Sequence, residues 1–194
     1  MRKMILCSML ASGLWTGIFA YRQSDKAPNW LSDKSLADRL DAFVDVEEFQ
    51  MKVPKNYQPV NQLGPDGSKI TAWVGDERSD GTKPYVMVST IKLNSEQRSK
   101  LSLEQALDTF LTSIERRRKD WNRAPAERGK VNGMTFVRSR WSGTDLTTEK
   151  KMRGFNYVTI DNGKLVQISS QDVEPHDKEA LELAEAAALT FIKK

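Results

Sequence analysis

The tetrapeptide Asp161-Asn162-Gly163-Lys164 constrains the folding of this chain more than any other local feature. It separates two apolar-rich runs, residues 155–160 and 165–170, and its Asn-Gly centre suits a type I′ turn, in which both central residues take positive φ. Such a turn follows the right-handed twist of the strands it joins. The two runs are therefore expected to pair antiparallel, so the fold has to be built around a hairpin.

The other elements are read from periodicity and turn chemistry. Phe49, Met51 and Val53 alternate with polar residues up to Pro54, as a half-buried strand requires. Gly64-Pro65-Asp66-Gly67 is a turn. Residues 70–74 form a second strand, residues 75–84 a polar loop, and the β-branched run 85–93 a third strand. Ser102 begins a helix, with Gln105 placed to complete a capping box. Leu103, Leu107, Phe110, Ile114 and Trp121 then recur at helical spacing with Ala106 and Leu111, which predicts a helix continuing until just before Pro125. A strand at 135–141 precedes the hairpin. A last helix at 177–192 aligns Ala180, Ala184, Ala187, Ala188 and Phe191.

The order βββαβββα with short links favours a mostly antiparallel sheet whose faces two amphipathic helices can cover. The expected fold is α+β, a six-stranded sheet covered by helices in a single domain over residues 47–194. Of the 194 residues 29% are charged and 39% hydrophobic, ordinary values for a globular chain. A domain of about 150 residues buries roughly 68–70% of its unfolded surface and needs no disulfide.

The start of the chain has a different character. Arg2 and Lys3 precede an uncharged run over residues 4–21, and polar sequence follows at once. A basic flank before an apolar run is the pattern of a signal peptide or an N-terminal membrane anchor. Residues 1–21 are assigned to that segment and residues 22–46 to a linker, in which Leu36, Leu40 and Phe43 form a short amphipathic turn docking on the domain. Cys7 lies inside the apolar run. Acylation there is disfavoured, because only six residues precede it and Leu6 occupies a position that wants a small side chain. The rest of the chain has no cysteine, which fits an exported domain stable without disulfides.

The opening run Phe49-Gln50-Met51-Lys52-Val53-Pro54-Lys55-Asn56-Tyr57 carries a family resemblance. So does the closing block, in which Phe155-Asn156-Tyr157-Val158 passes through the Asn162-Gly163 turn into Leu165-Val166-Gln167-Ile168-Ser169-Ser170 and a helix ending at Phe191. Over residues 48–194 the chain resembles the PsbP-like α/β/α sandwich, named after the extrinsic protein of photosystem II. Trp73-Val74-Gly75, Asp80-Gly81-Thr82 and Arg138-Ser139-Arg140-Trp141-Ser142-Gly143 are similar to stretches of exported bacterial proteins of unassigned function. The resemblance implies a non-catalytic binding or assembly role. It transfers no metal or subunit contact, since no matching motif is present.

Sites of chemistry are sparse in the sequence. His176, the one histidine, sits at a helix start beside Glu174 and Asp177 and reads as an exposed flank rather than a general base. One His and the leader's Cys7 supply no zinc ligand set. Residues 64–69 lack phosphate-loop spacing, and residues 76–87 place Arg78 and Met87 where a calcium loop needs oxygen ligands. No Gly-x-Ser-x-Gly elbow supports a serine hydrolase. No cofactor, metal or catalytic residue is assigned.

The remaining candidate is basic. Arg116, Arg117, Arg118, Lys119 and Arg123 gather near Trp121, within a stretch (residues 92–140) holding twelve Lys and Arg against six Asp and Glu. Arg128, Lys130, Arg138 and Arg140 extend it if their strands lie alongside. The plain reading is that cations finish a helix C-terminus and complement its dipole, with Trp121 in the core. The functional reading is a surface for a protein or an anionic envelope component. Formal net charge is +4, of which Arg2 and Lys3 supply two, so nucleic acid is not an expected partner.

The expected function is a non-enzymatic exported envelope domain that binds a protein or other macromolecule, periplasmic or anchored in the cytoplasmic membrane through residues 4–21. The alternatives are a small-ligand or lipid carrier with a cleft between sheet and helix, and an unrecognised hydrolase. Export is testable directly: a reporter active only outside the cytoplasm, fused after Lys194, should be active, and activity restricted to a cytoplasmic reporter would refute the assignment.

Overall fold

The computed structural model of the chain describes residues 28–64 and 67–194. The apolar run, Cys7, Pro65 and Asp66 lie outside the described residues. Strand β9 (Lys151–Asp161) and strand β10 (Lys164–Val173) pair in register from Lys164 opposite Asp161 to Val173 opposite Met152. Asn162 at φ 46° and Gly163 at φ 72° make the turn, with the positive φ values that a type I′ turn needs. Both strands are buried on both faces along most of their length.

The sheet built on this hairpin has eight strands, not the expected six: three of them were not expected, and the strand expected from Phe49 lies in a separate sheet. β3 (Gln58–Leu63), β4 (Lys69–Val74) and β5 (Tyr85–Lys92) lie on the β10 side, while β8 (Met134–Asp145) and β6 (Arg118–Arg123) lie on the β9 side. β7 (Glu127–Val131) shares the outer edge of β8 with β6, and all described strand pairs are antiparallel. A second, three-stranded sheet holds β1 (Leu40–Val46), β2 (Phe49–Pro54) and β11 (Ile192–Lys193).

Each added strand escapes hydrophobic patterning for its own reason. β3 is exposed along its whole length and contains Pro59, as an edge strand can. β7 has two buried residues, Gly129 and Val131, but it too turns into its neighbour through an Asn-Gly pair. Asn132 stands at φ 47° and Gly133 at φ 86°, so the signal that marks the late hairpin recurs unread.

The first helix is shorter than the periodicity predicts. After α1 (Ser95–Lys100), α2 spans Leu103–Glu115, and the predicted Ser102–Gln105 capping box is present in both directions. The chain then turns and enters β6. The pairing of β6 with β8 is irregular between Lys119 and Asn122, where Asp120 has φ 52°. That bulge sets Arg118 and Trp121 against the same ring, Trp141, so Trp121 keeps the seven-residue spacing of Leu107 and Ile114 without being helical.

The last helix, α3, likewise ends early, at Ala188. Phe191 is fully buried and stacks on Phe49 at 4.9 Å, and Ile192 pairs with Gln50. The chain from residue 28 to 46, expected as a linker, belongs to the fold. Trp30 packs edge-on to Tyr157 at 5.6 Å and lies against Gly129, where a Cβ would come within 2.3 Å of the indole. A 3-10 helix (Lys34–Arg39) follows, and β1 replaces the expected amphipathic turn.

Two cores result. Phe49, Met51, Val86, Phe136, Tyr157 and Ile168 fill one face of the large sheet, closed by α3 and the small sheet. Leu107, Leu111, Val137, Trp141, Val158 and Leu165 fill the other, under α2. Glu47 ties the small sheet to the large one. From the β1–β2 turn it accepts from Lys69 Nζ at 2.6 Å and Lys164 Nζ at 2.8 Å, and the Lys164 hydrogen bond does most to hold its carboxyl down at about 2. Because the folded value lies below the unfolded one, this pairing stabilises the fold above about pH 4.5 and is lost as pH falls toward about 2. Glu47→Gln should therefore cost about 1 kcal/mol or less at pH 7, solvent screening limiting the effect. Urea unfolding should show the gap closing at acidic pH, and a gap independent of pH would refute the assignment.

Candidate functional site beneath the second helix

The five basic residues do not form a helix end. Arg116 caps α2 and is exposed, and Arg117 follows it, also exposed. Among the described residues neither makes an ion pair, whereas Arg123 faces Asp108 at 2.7 Å and Lys119 faces Glu149 at 3.6 Å. Arg118 turns inward. Its side chain is 3% exposed, it meets Asp145 at 2.5 Å, and its guanidinium lies 5.7 Å from the Trp141 ring centroid. Burial lowers its pKa, opposed by the Asp145 charge.

The proposed extension of this patch divides between sites. Arg128 pairs with Glu104 of α2 at 2.5 Å. Arg138 and Arg140 instead converge on Glu185 of α3, on the opposite face of the sheet. There Arg138 lies 4.1 Å from the Trp30 ring centroid, donates to Tyr157 Oη at 2.8 Å and pairs with Glu127. Tyr157 Oη donates in turn to Glu185, and burial raises the Tyr157 pKa so that it stays protonated. These donors and acceptors satisfy one another, and the network pins the N-terminal segment over the first core.

The other face leaves donors unused. Between α2 and the sheet lies a cavity of about 210 Å³. Met87 of β5 and Phe110 and Ile114 of α2 give it apolar walls. Its polar lining includes Asn156, Gln167, Trp141 and Arg117. Asn156 is fully buried, and its Oδ1 accepts from Gln167 Nε2 at 2.6 Å, but its Nδ2 has no partner. The indole N–H of Trp141, a residue 4% exposed, has none either. Arg118 stands behind Trp141, its Nε also unpaired, and its Nη2 lies 3.4 Å from Oε1 of Gln171, another lining residue.

A buried donor without an acceptor costs about 1–3 kcal/mol, so two such groups on residues lining one cavity, with a third behind them on Arg118, stand out against the satisfied network across the sheet. No Asp or Glu lines the cavity. Tyr85, on its wall, has its hydroxyl pushed up to about 12 by burial; Arg118 and Arg117 oppose that rise, and Asp172 adds to it more weakly. The site can therefore offer hydrogen bonds and positive potential to an acceptor.

Sequence reasoning missed Asn156 and Trp141. Their one signal is that Asn156, Gln167 and Ser169 interrupt strands otherwise apolar on both faces, and Ser169 stands opposite Asn156 in the pairing. The other sequence candidates stay apart from the cavity. His176 is exposed at the start of α3, beside a groove lined by Tyr57 and Arg39. Asp80, considered for calcium, accepts from the backbone and hydroxyl of Thr82 and faces Lys150 at 3.2 Å. No described helix is long and apolar enough to cross a membrane.

No family model matches the chain, and no curated protein does either. Solved structures do. Cyanobacterial PsbP (CyanoP) from Synechocystis sp. PCC 6803 aligns with a TM-score of 0.57 at 14% identity, covering 80% of this chain and 93% of its own. The Ran-binding protein Mog1p of Saccharomyces cerevisiae aligns at 0.51 with 12% identity, over 78% of this chain and 95% of its own. At such identities the likeness concerns architecture, and the architecture of this chain is the PsbP-like fold.

Proposed function

We propose that the chain is a non-enzymatic, exported interaction domain that binds an acidic protein partner through the corner where α2 meets β6. The observation that carries this reading is the pair of exposed guanidinium groups at Arg116 and Arg117. They stand without ion pairs among the described residues, on a molecule where Arg123, Arg128, Arg138, Arg140 and Arg153 each face a carboxylate. Unpaired arginines fixed at an element boundary suit carboxylate recognition, because the planar fork binds in a bidentate manner and loses little freedom in doing so. Two supports come from outside the site. The basic, apolar start of the chain favours an envelope location, and Mog1p, which shares the architecture, is a Ran-binding protein.

Replacement of Arg116 and Arg117 by Glu in the full-length chain should reduce capture of the partner from envelope extracts by at least about tenfold, equivalent to one lost charge-assisted hydrogen bond. The melting temperature should move by no more than about 4 °C, since only helix-end electrostatics are disturbed. Capture by the native chain should weaken with salt, as exposed charges are screened over about 8 Å at physiological ionic strength. Arg118→Met serves as the contrast: it strands Asp145 and should destabilise the fold by about 3 kcal/mol, while its folded fraction still captures. Undiminished capture by the folded double Glu variant would overturn the proposal.

A further inference from the structure

We propose that the cavity beneath α2 binds a carboxylate carried on a short apolar stem, with Asn156 Nδ2 and Trp141 Nε1 as the hydrogen-bond donors. This goes beyond the interaction surface described above; the two share Arg117, but the donors here are internal.

Both nitrogens belong to lining residues, both are buried, and neither has an acceptor among the described residues. Asn156 Oδ1 accepts from Gln167 Nε2, which leaves the nitrogen end of the amide as the unpaired one. Trp141 is fixed: Trp121 stacks on it at 5.3 Å, and Gly154 lies so close that a Cβ there would come within 2.5 Å of its Cζ2.

The complementary group has to be an acceptor, and the surrounding charge makes an anionic acceptor the best fit. Arg117 lines the cavity from an exposed position, Arg118 lies behind Trp141, and no carboxylate lines the site. The two oxygens of a carboxylate match two separate N–H donors. Met87, Phe110 and Ile114 supply walls for a few carbons, and a volume of about 210 Å³ leaves no room for a long acyl chain. The carboxylate can belong to a free short acid or to the apolar C-terminal residue of a peptide.

The test follows the indole N–H resonance of Trp141 by NMR on the full-length chain, assigned with Trp141→Phe. The probes are 4-methylpentanoate, phenylacetate and a tripeptide ending in a free leucine carboxylate, each set against its amide. A saturable shift with at least one acid below about 10 mM is expected, with its amide weaker by about tenfold or more. Response to the free acids alone supports a small-molecule ligand, and response to the peptide alone supports a partner's C-terminus. Asn156→Asp keeps the acceptor for Gln167 and opposes the anion, so binding should be lost. Trp141→Phe, followed through the leucine and isoleucine methyl resonances, should weaken binding about tenfold with the aromatic stack retained. If Asn156→Asp fails to fold, Trp141→Phe decides. Equal binding of acids and amides, no saturable shift with any probe, or full binding by folded Trp141→Phe would overturn the proposal and leave the cavity to solvent.

Discussion

The β9–β10 pair is buried on both faces, and the rest of the molecule is arranged to keep it so. A sheet strand with two apolar faces requires two covering layers. The chain supplies α2 on one side, and α3 with the small sheet on the other. Tyr157 and Ile168 face the α3 side while Val158 and Leu165 face α2, so a single hairpin seeds both cores. The period-2 alternation of side chains makes this division automatic once the turn fixes the register.

The two faces are then finished differently. On the α3 side, Trp30 closes over Tyr157, and Arg138, Arg140, Glu127 and Glu185 satisfy one another. Bringing the N-terminal segment across this face needs a glycine at position 129, where the indole touches backbone. On the α2 side the aromatic pair Trp121–Trp141 and the buried Arg118 take up the end of the sheet, and a cavity remains between the helix and the buried polar groups of β9 and β10. Orphaned donors are tolerated in a core only where something else offsets them, and among the described residues they gather on this face.

The basic segment shows how a spacing can mislead. Leu107, Ile114 and Trp121 repeat every seven residues, and the sequence reads as one helix with a cationic end. In the structure a turn at Arg116 and Arg117 and a bulge at Asp120 divide that stretch between a helix and a strand. Of five cations read as equivalent, one is in the core, two are paired at the surface and two make no ion pair among the described residues. The distinction depends on Asp145 and Glu149, which lie more than twenty residues away in the chain.

By itself the sequence determined whatever depends on neighbouring residues: the Asn162–Gly163 turn, the Ser102–Gln105 cap, the alternation of Phe49, Met51 and Val53, and the antiparallel class that follows. These are local because a turn type, a cap and a strand period are set by backbone geometry within a few residues. Tertiary structure alone decided the exposed edge strand β3, the docking of Trp30 and the fate of each arginine. It also decided that Asn156 Nδ2 and the Trp141 indole lack acceptors. An edge strand needs no apolar face, and a hydrogen bond is missing only with respect to partners that the fold brings, or fails to bring, within about 3.5 Å.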